Sequence, residues 1–460
     1  MVIAVFDIGK THKKFILFNE EFKLLHEEKR IFEETEDDDC ENCDDLTAIT
    51  FWIDHCLKTS KYTITHLNFT TYGATLVHLG KDGKPVAPLY NYLRSIPKET
   101  LELFYRDHGP RTAFHQSTAS PPLEMLNSGL QLFWLKHNKP ELFEKIRTSL
   151  HFPNYLAYRY TGKMVAEKTS LGCHTALWDF DKESYHQWLE SEQILDRLPK
   201  DVNAKVTFSS TISGKKVICG TGLHDSSAAL VPYLEYIKKP FLLLSTGTWN
   251  ITLNPFVEYK KLSEDELKSD VLYFLSHRGK PVKASRLFLG NEHDKQNEIL
   301  CKHFKVPKDR HKHIKLNLEL LKKLGVPING NLNGFMSDGD SLSPLGGAID
   351  PSLFKSYEEA YHHLNIKLTA CQVKSINLVL EQTVAKKIFI TGGFSVNDLF
   401  INLLSKHFSS LKIQIAHLKK ASAMGAAIVV HQDHNRFFKK SKFDFKKYSS
   451  QKSKEQVAAG

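Results

Sequence analysis

Two short segments, far apart in the chain, share one pattern, and that pattern limits the possible folds more than any composition value does. The first runs from Val2 through Asp7, Gly9, Lys10, Thr11 and Lys14 to Phe18. The second runs from Phe241 through Thr246-Gly247-Thr248 to Ile251. Each is an apolar run, a tight turn with Gly beside small hydroxyl residues, and a second apolar run. Such runs bounded by turn residues read as buried strands. Glycine lets the turn approach a ligand closely, and successive backbone N–H groups there form a concavity for an anion. Two phosphate-type hairpins at this spacing predict two similar domains facing one nucleotide.

The remaining signals predict an α/β chain. After the first hairpin the pattern is strand, helix, strand, with Leu46, Ile49, Ile53 and Leu57 at helical spacing and a strand over 65–71. Residues 122–160 read as helical. A strand at 217–219 enters Gly220-Thr221-Gly222, and a helix opens at His224-Asp225-Ser226 with Asp225 or Ser226 suited to its N-cap. In the second half, helices are predicted over 357–380, 398–407 and from Ala421. Strands are predicted over 387–391 and 412–416, the first leading into Gly392-Gly393-Phe394-Ser395-Val396-Asn397. The crossover between halves falls at 233–239, which divides the chain into 1–235, 236–435 and a basic tail, 436–460.

Composition narrows the function classes. A 460-residue chain with 41% hydrophobic and 25% charged residues is of ordinary globular make-up and long enough for two cores. No run approaches the length of a bilayer span, and Met1 leads straight into the first strand without the pattern of a signal peptide. The seven cysteines are scattered and odd in number, which predicts reduced thiols and a cytoplasmic location. Cys40 and Cys43 have zinc-knuckle spacing, but no second pair lies nearby and they sit in an acidic run, read as a surface. Between Arg436 and Lys454, eight basic residues face Asp444 alone, which accounts for seven of the ten formal positive charges. The rest of the chain is near neutral, which argues against a nucleic-acid partner.

There is no Gly-x-x-x-x-Gly-Lys-Ser/Thr loop, no Gly-x-Gly-x-x-Gly, no His-Glu-x-x-His and no Gly-x-Ser-x-Gly elbow. What remains is a set of single residues in fixed order. Asp7, at the end of a strand, can hold a Mg²⁺ carried on phosphates. Lys14 offers its ammonium to the same phosphates, and Gly247 with Thr248 cradles phosphate from the other half. Asp225 can take a proton from a hydroxyl nucleophile; taken alone, it reads sooner as a plain helix cap.

Six motifs in order resemble the FGGY family of carbohydrate kinases, within the actin-like ATPase superfamily. They are Asp7-x-Gly9-x-Thr11-x-x-Lys14; Thr161-Gly162 followed by Thr169-Ser170; Gly222-x-x-Asp225; Thr246-Gly247-Thr248; Gly392-Gly393-x-Ser395-x-Asn397; and Gly425-Ala426-Ala427. The His224-Asp225 pair is most similar to the rhamnulose and fuculose kinases of that family. Departures are Lys10 in place of a Thr, and Tyr92 in place of the Asp of a Trp/Tyr-x-Asp-x-Arg motif that here ends at Arg94.

The resemblance implies two actin-like (ribonuclease H-like) domains, each with a mixed five-stranded sheet, around a nucleotide and sugar cleft. It implies transfer of the γ-phosphoryl of ATP to a hydroxyl of a ketose, such as L-rhamnulose or L-fuculose. The implied roles are Asp225 as base and Asp7 as Mg²⁺ ligand. Thr11, Lys14, Gly247, Thr248, Gly392, Gly393 and Asn397 fall on the nucleotide, and His224, Thr75 and Arg94 on the sugar. Xylulose, ribulose, glycerol or another polyol is the alternative substrate. An actin-like ATPase or a silent sugar sensor is the alternative class. The expected partners are the sugar and ATP, with no nucleic acid and no membrane, for a monomer or homodimer.

Overall fold

In a computed structural model of the chain, residues 1–380, 383–416, 418 and 420–431 are described, together with the backbone of 445–447. The apolar runs of the first hairpin become the strands Val2–Ile8 and Lys13–Asn19, paired antiparallel so that Asp7 stands opposite Lys14. On one side Lys13–Asn19 pairs antiparallel with Leu24–Arg30. On the other, Val2–Ile8 pairs parallel with His66–Thr71, which pairs parallel with Lys215–Gly220. The helix Leu46–Thr59 makes the parallel crossover, capped by the Asp45 side chain on the Ala48 N–H. Its buried face (Ile49, Trp52, Ile53, Cys56, Leu57) follows the 3.6-residue period.

The second hairpin repeats the plan. Leu242–Thr246 pairs antiparallel with Asn250–Asn254, which pairs with Pro281–Leu287. Leu242–Thr246 also pairs parallel with Lys387–Gly392, and that strand with Lys412–Ala416. The same five-strand core of three antiparallel and two added parallel strands therefore occurs twice. Among the described residues each sheet grows to seven strands, two more than expected. Thr207–Ile212 and Leu223–His224 extend the first; Val271–Leu275 and Phe445–Lys447 extend the second. The last of these falls in the basic tail and pairs antiparallel with Lys412–Ala416; the rest of 436–460 lies outside the described residues.

The strands segregate on either side of residue 236, but the helices do not. The final helix, Ala421–Val430, returns to the first sheet, where its Ala426 carbonyl accepts from Asn68 Nδ2 at 2.9 Å. It also lies directly on the helix Asp225–Tyr236: a Cβ on Gly425 would stand 1.8 Å from the Ala228 carbonyl oxygen, so only glycine fits. One apolar core joins residues of both sheets to these two helices, including Val5, Tyr233, Phe241, Leu243, Phe389 and Ala426. The 122–160 region is less regular than its apolar spacing suggests. It forms helices Gly129–Asn138, Pro140–Lys145 and Phe152–Thr161, with a strand, Thr148–His151, between the last two.

Candidate active site

The first hairpin sets one wall of the cleft. Asp7 is buried, and its Oδ2 is 3.2 Å from Lys14 Nζ, a contact that follows from their cross-strand register. Its Oδ1 accepts from the Ser422 hydroxyl at 3.1 Å, so the last helix presents its first turn to this carboxylate. Burial raises the Asp7 pKa, Lys14 opposes the rise, and the charge of Asp225 adds to it. Two carboxylates in mutual repulsion beside one lysine leave room for a further positive charge.

Asp225 opens the helix Asp225–Tyr236, but not as its cap. His224 holds the N-cap position without a side-chain bond, and Asp225 accepts from Ser226 Oγ at 3.2 Å. A third of the Asp225 side chain meets the cleft, yet burial pushes its pKa up to about 6, against hydrogen bonding from Ser226 and the Lys14 charge. The neighbouring His224 is buried, and burial together with Arg286 brings its imidazole down to about 3, so the ring is neutral.

A buried polar chain behind Asp225 holds this turn. Thr169 Oγ1 accepts from the His224 N–H at 3.1 Å and donates to Glu167. Glu167 is fully buried, which raises its carboxyl to about 7. Its N–H donates to Asn154 Oδ1, while Asn154 Nδ2 donates to the Thr221 carbonyl at 2.8 Å. Gly222 completes the bend at φ +79°, with the Pro153 carbonyl oxygen 2.2 Å from where a Cβ would lie. Glu167, Asn154 and Ser422 carried no signal in the sequence, since each acts only through contacts made in three dimensions.

The second hairpin supplies the facing wall. Its turn, Gly247-Thr248, is exposed, and the Gly247 N–H donates to Asn250 Oδ1 at 3.3 Å. The Thr248 carbonyl accepts from the N–H groups of Gly290 and Asn291, at the start of the helix Leu289–Phe304. A Cβ on Gly290 would lie 1.9 Å from the Gly247 oxygen, so this helix rests directly on the turn. Gly392 has φ +89° and abuts Thr246 in the same way; the Thr246 hydroxyl donates to the Thr391 carbonyl and accepts from the Phe394 N–H. A cavity of about 300 Å³ lies between the Asp225 helix, the start of the final helix and the second sheet, lined by Asp225, Ser226, Ser245, Gly392 and Ser422 among others.

The other expected site residues are more dispersed. Thr11 is exposed at the first turn. Thr75 is buried and donates to the Gly73 carbonyl at 3.4 Å; a Cβ on Gly73 would stand 3.0 Å from the His224 ring, so that loop lies against the Asp225 turn. Gly393 is exposed beside Gly392. Asn397 caps the helix Asp398–His407 through the Phe400 N–H and donates to Asn365. Arg94 is committed to Asp37 and Asp39 and stacks 4.6 Å above Trp134. Lys10 turns away to Glu34 and Asp44, both at 2.7 Å. Asp44 is buried and also holds Lys13 and the Tyr72 hydroxyl, so this end of the acidic run packs against the first turn, while most of the run, including Glu33, Glu36, Asp38, Asp39 and Glu41, is exposed as expected. Of the knuckle-spaced pair, Cys40 is exposed and Cys43 buried.

A profile of the FGGY family of carbohydrate kinases, N-terminal domain, matches residues 2–230. The chain's first half belongs to the FGGY family. A rhamnulokinase of Ligilactobacillus salivarius is 24% identical over 273 residues, which is 53% of this chain and 52% of the relative. The chain thus spans about half the length of that curated relative. The fold likeness extends further. A carbohydrate kinase from Novosphingobium aromaticivorans superimposes with a TM-score of 0.78 over 97% of this chain and 96% of its own, at 22% identity. A ligand-bound xylulose kinase from Lactobacillus acidophilus gives 0.77 over 97% and 93%, at 14%. The likeness in fold to these kinases therefore covers both halves. Among the described residues no helix is long and apolar enough to cross a membrane.

Proposed function

We propose that the chain is an ATP-dependent sugar kinase that phosphorylates a hydroxyl of a ketose, with a deoxy-ketohexose such as L-rhamnulose or L-fuculose as its substrate. The observation that carries this reading is Asp225: a carboxylate in the cleft, raised to about 6, with its own turn held by buried hydrogen bonds and no capping role. A base of that pKa is ionised at neutral pH and still basic enough to accept a hydroxyl proton. The ketose preference rests on the rhamnulokinase likeness and the His224-Asp225 pair.

In this reading the sugar hydroxyl passes its proton to Asp225 as its oxygen forms a bond to the γ-phosphorus. The bond from that phosphorus to the β,γ-bridging oxygen breaks, and ADP leaves. Lys14, Thr11 and the Gly247-Thr248 turn hold phosphates from opposite walls, and Gly392, Gly393 and Asn397 border the nucleoside. His224, Thr75 and Arg94 belong to the sugar side, Arg94 by fixing the 37–39 loop. Asp7 fits a Mg²⁺ ligand, because a buried carboxylate facing a second carboxylate is stabilised by a shared cation. When bound, the cation neutralises charge on the transferring phosphoryl group. The rest is positioning and exclusion of water by closure of the two halves, divided near residue 236. The protein works on soluble small molecules in the cytoplasm, as a monomer or homodimer.

The test is ADP release in a coupled assay against a panel of ketoses, aldoses and polyols. Sugar-dependent turnover with L-rhamnulose or L-fuculose above all others is expected. ATP hydrolysis that ignores every sugar would assign the chain to the actin-like ATPases instead.

A further inference from the structure

Beside Asp225 lies a cluster of which the kinase reading uses only His224, on the sugar side. Cys173, His174 and His224 are all buried, and one ligand atom from each lies within 4.8 Å of the others. The His174 Nδ1 faces the Leu126 carbonyl at 2.9 Å. A carbonyl only accepts, so Nδ1 carries the proton and the Nε2 lone pair is free. A carbonyl on the far ring nitrogen is what orients a metal-ligating histidine.

His224 leads to the same arrangement. The Ser227 hydroxyl donates to the Leu275 carbonyl at 3.1 Å and so can only accept from His224 Nδ1, at 3.4 Å. The Nε2 lone pair then faces Asp225 Oδ1, also at 3.4 Å. Two acceptors face each other there with no proton of their own to share. The Cys173 thiol points to the Ser170 carbonyl at 3.1 Å.

We propose that Cys173, His174 and His224 bind one zinc-class divalent cation, with the Asp225 carboxylate at the open fourth position. One sulfur and two imidazole nitrogens select zinc-class ions over Mg²⁺, which takes oxygen ligands. Ligand atoms on a tetrahedral ion are about 3.5 Å apart by its usual bond lengths, so binding draws atoms that stand within 4.8 Å of one another together by up to about 1 Å. Binding releases the Cys173 thiol proton to solvent. A cation held there masks the base, so zinc inhibits transfer while Mg²⁺ sustains it; this consequence rests on the kinase reading, whereas the binding does not.

Cobalt(II) is the probe. Titration of the full chain with Co²⁺ is expected to give one equivalent of tetrahedral cobalt with a thiolate-to-cobalt charge-transfer band. Cys173→Ser should abolish the band, and His174→Gln should weaken Co²⁺ binding at least tenfold. Absence of the band in the wild type, or its persistence in Cys173→Ser, overturns the site. In the coupled assay with excess Mg·ATP, the ratio of activity with and without Zn²⁺ should be low for the wild type and near one for Cys173→Ser. Equal ratios overturn the inhibitory role. A chain inactive on every sugar still gives the cobalt result, which separates failure of this site from failure of the kinase reading.

Discussion

At the scale of single residues, burial does most of the chemical work. Asp225 is pushed up to about 6 chiefly by desolvation. As a base it acts only when ionised, so kcat/KM should rise with pH through about 6 and level off above. Asp225→Asn should leave binding of ATP and sugar largely intact while cutting kcat by on the order of 10²–10⁴. Near-wild-type turnover in that variant would sink the mechanism. The same shift has a stability sign. A folded pKa raised above the unfolded value means that ionisation opposes folding, with the effect growing above pH 3.8 and complete above about 6. Asp225→Asn should therefore melt higher than the wild type at pH 7–8, and the gain should vanish toward pH 4. A gain independent of pH would show that burial of the charge is not its cause. Asp7 is the second such residue. Asp7→Ala should raise the Mg²⁺ concentration needed for half-maximal rate and depress kcat, because Lys14 and Ser422 lose their shared anion. Full activity of Asp7→Ala in excess chelator would remove Asp7 from the metal site.

At the scale of elements, two helices are pressed onto the reacting parts through glycines, and their replacements should fail differently. The helix Leu289–Phe304 meets the second phosphate turn at Gly290, where a Cβ would stand 1.9 Å from the Gly247 oxygen. The final helix meets the Asp225 helix at Gly425, with 1.8 Å to the Ala228 oxygen. Neither backbone yields easily, and forcing a methyl group into such a contact costs about 1–3 kcal/mol. Gly290→Ala should displace the turn and raise KM for ATP about tenfold, with a smaller change in KM for sugar. Gly425→Ala should shift the Asp225 helix and lower kcat more than it changes KM for ATP. Steady-state kinetics of the two variants decide it: identical profiles would mean that both merely loosen the fold.

At the scale of the whole molecule, the two sheets repeat one plan, yet the final helix belongs by packing to the first. The tail contributes as well, since Phe445–Lys447 closes the open edge beside Lys412–Ala416. Truncation after Asn435 removes that strand and the ladder bonds it makes. The melting temperature should fall by a few degrees, roughly 2–4 °C per kcal/mol for units of this size. Because the strand lies at the sheet edge, three strands out from Leu242–Thr246, kcat/KM should stay within about threefold. A large fall in kcat/KM at an unchanged melting temperature would place the tail beside the active site.

Much of this was legible in the chain itself, wherever the signal is local. The helices Leu46–Thr59, Tyr357–Leu380, Asp398–His407 and Ala421–Val430 have the extents or starts that apolar period and capping residues predict. Both hairpins follow from apolar runs around a turn, and the Asp7–Lys14 contact follows from their places across one of those turns. Tertiary structure alone decided the rest. The N-cap passed to His224 because Thr169 holds its N–H, a contact between residues far apart in sequence. Arg94 turned to Asp37 and Asp39, and Lys10 to Asp44, because Asp37 and Asp44 fold inward from an otherwise exposed acidic run. The crossing of the final helix, the cluster at Cys173 and the raised pKa of Asp225 depend on which distant segments exclude water from one another. Desolvation and close packing are properties of neighbours in space, and local sequence pattern carries no term for them.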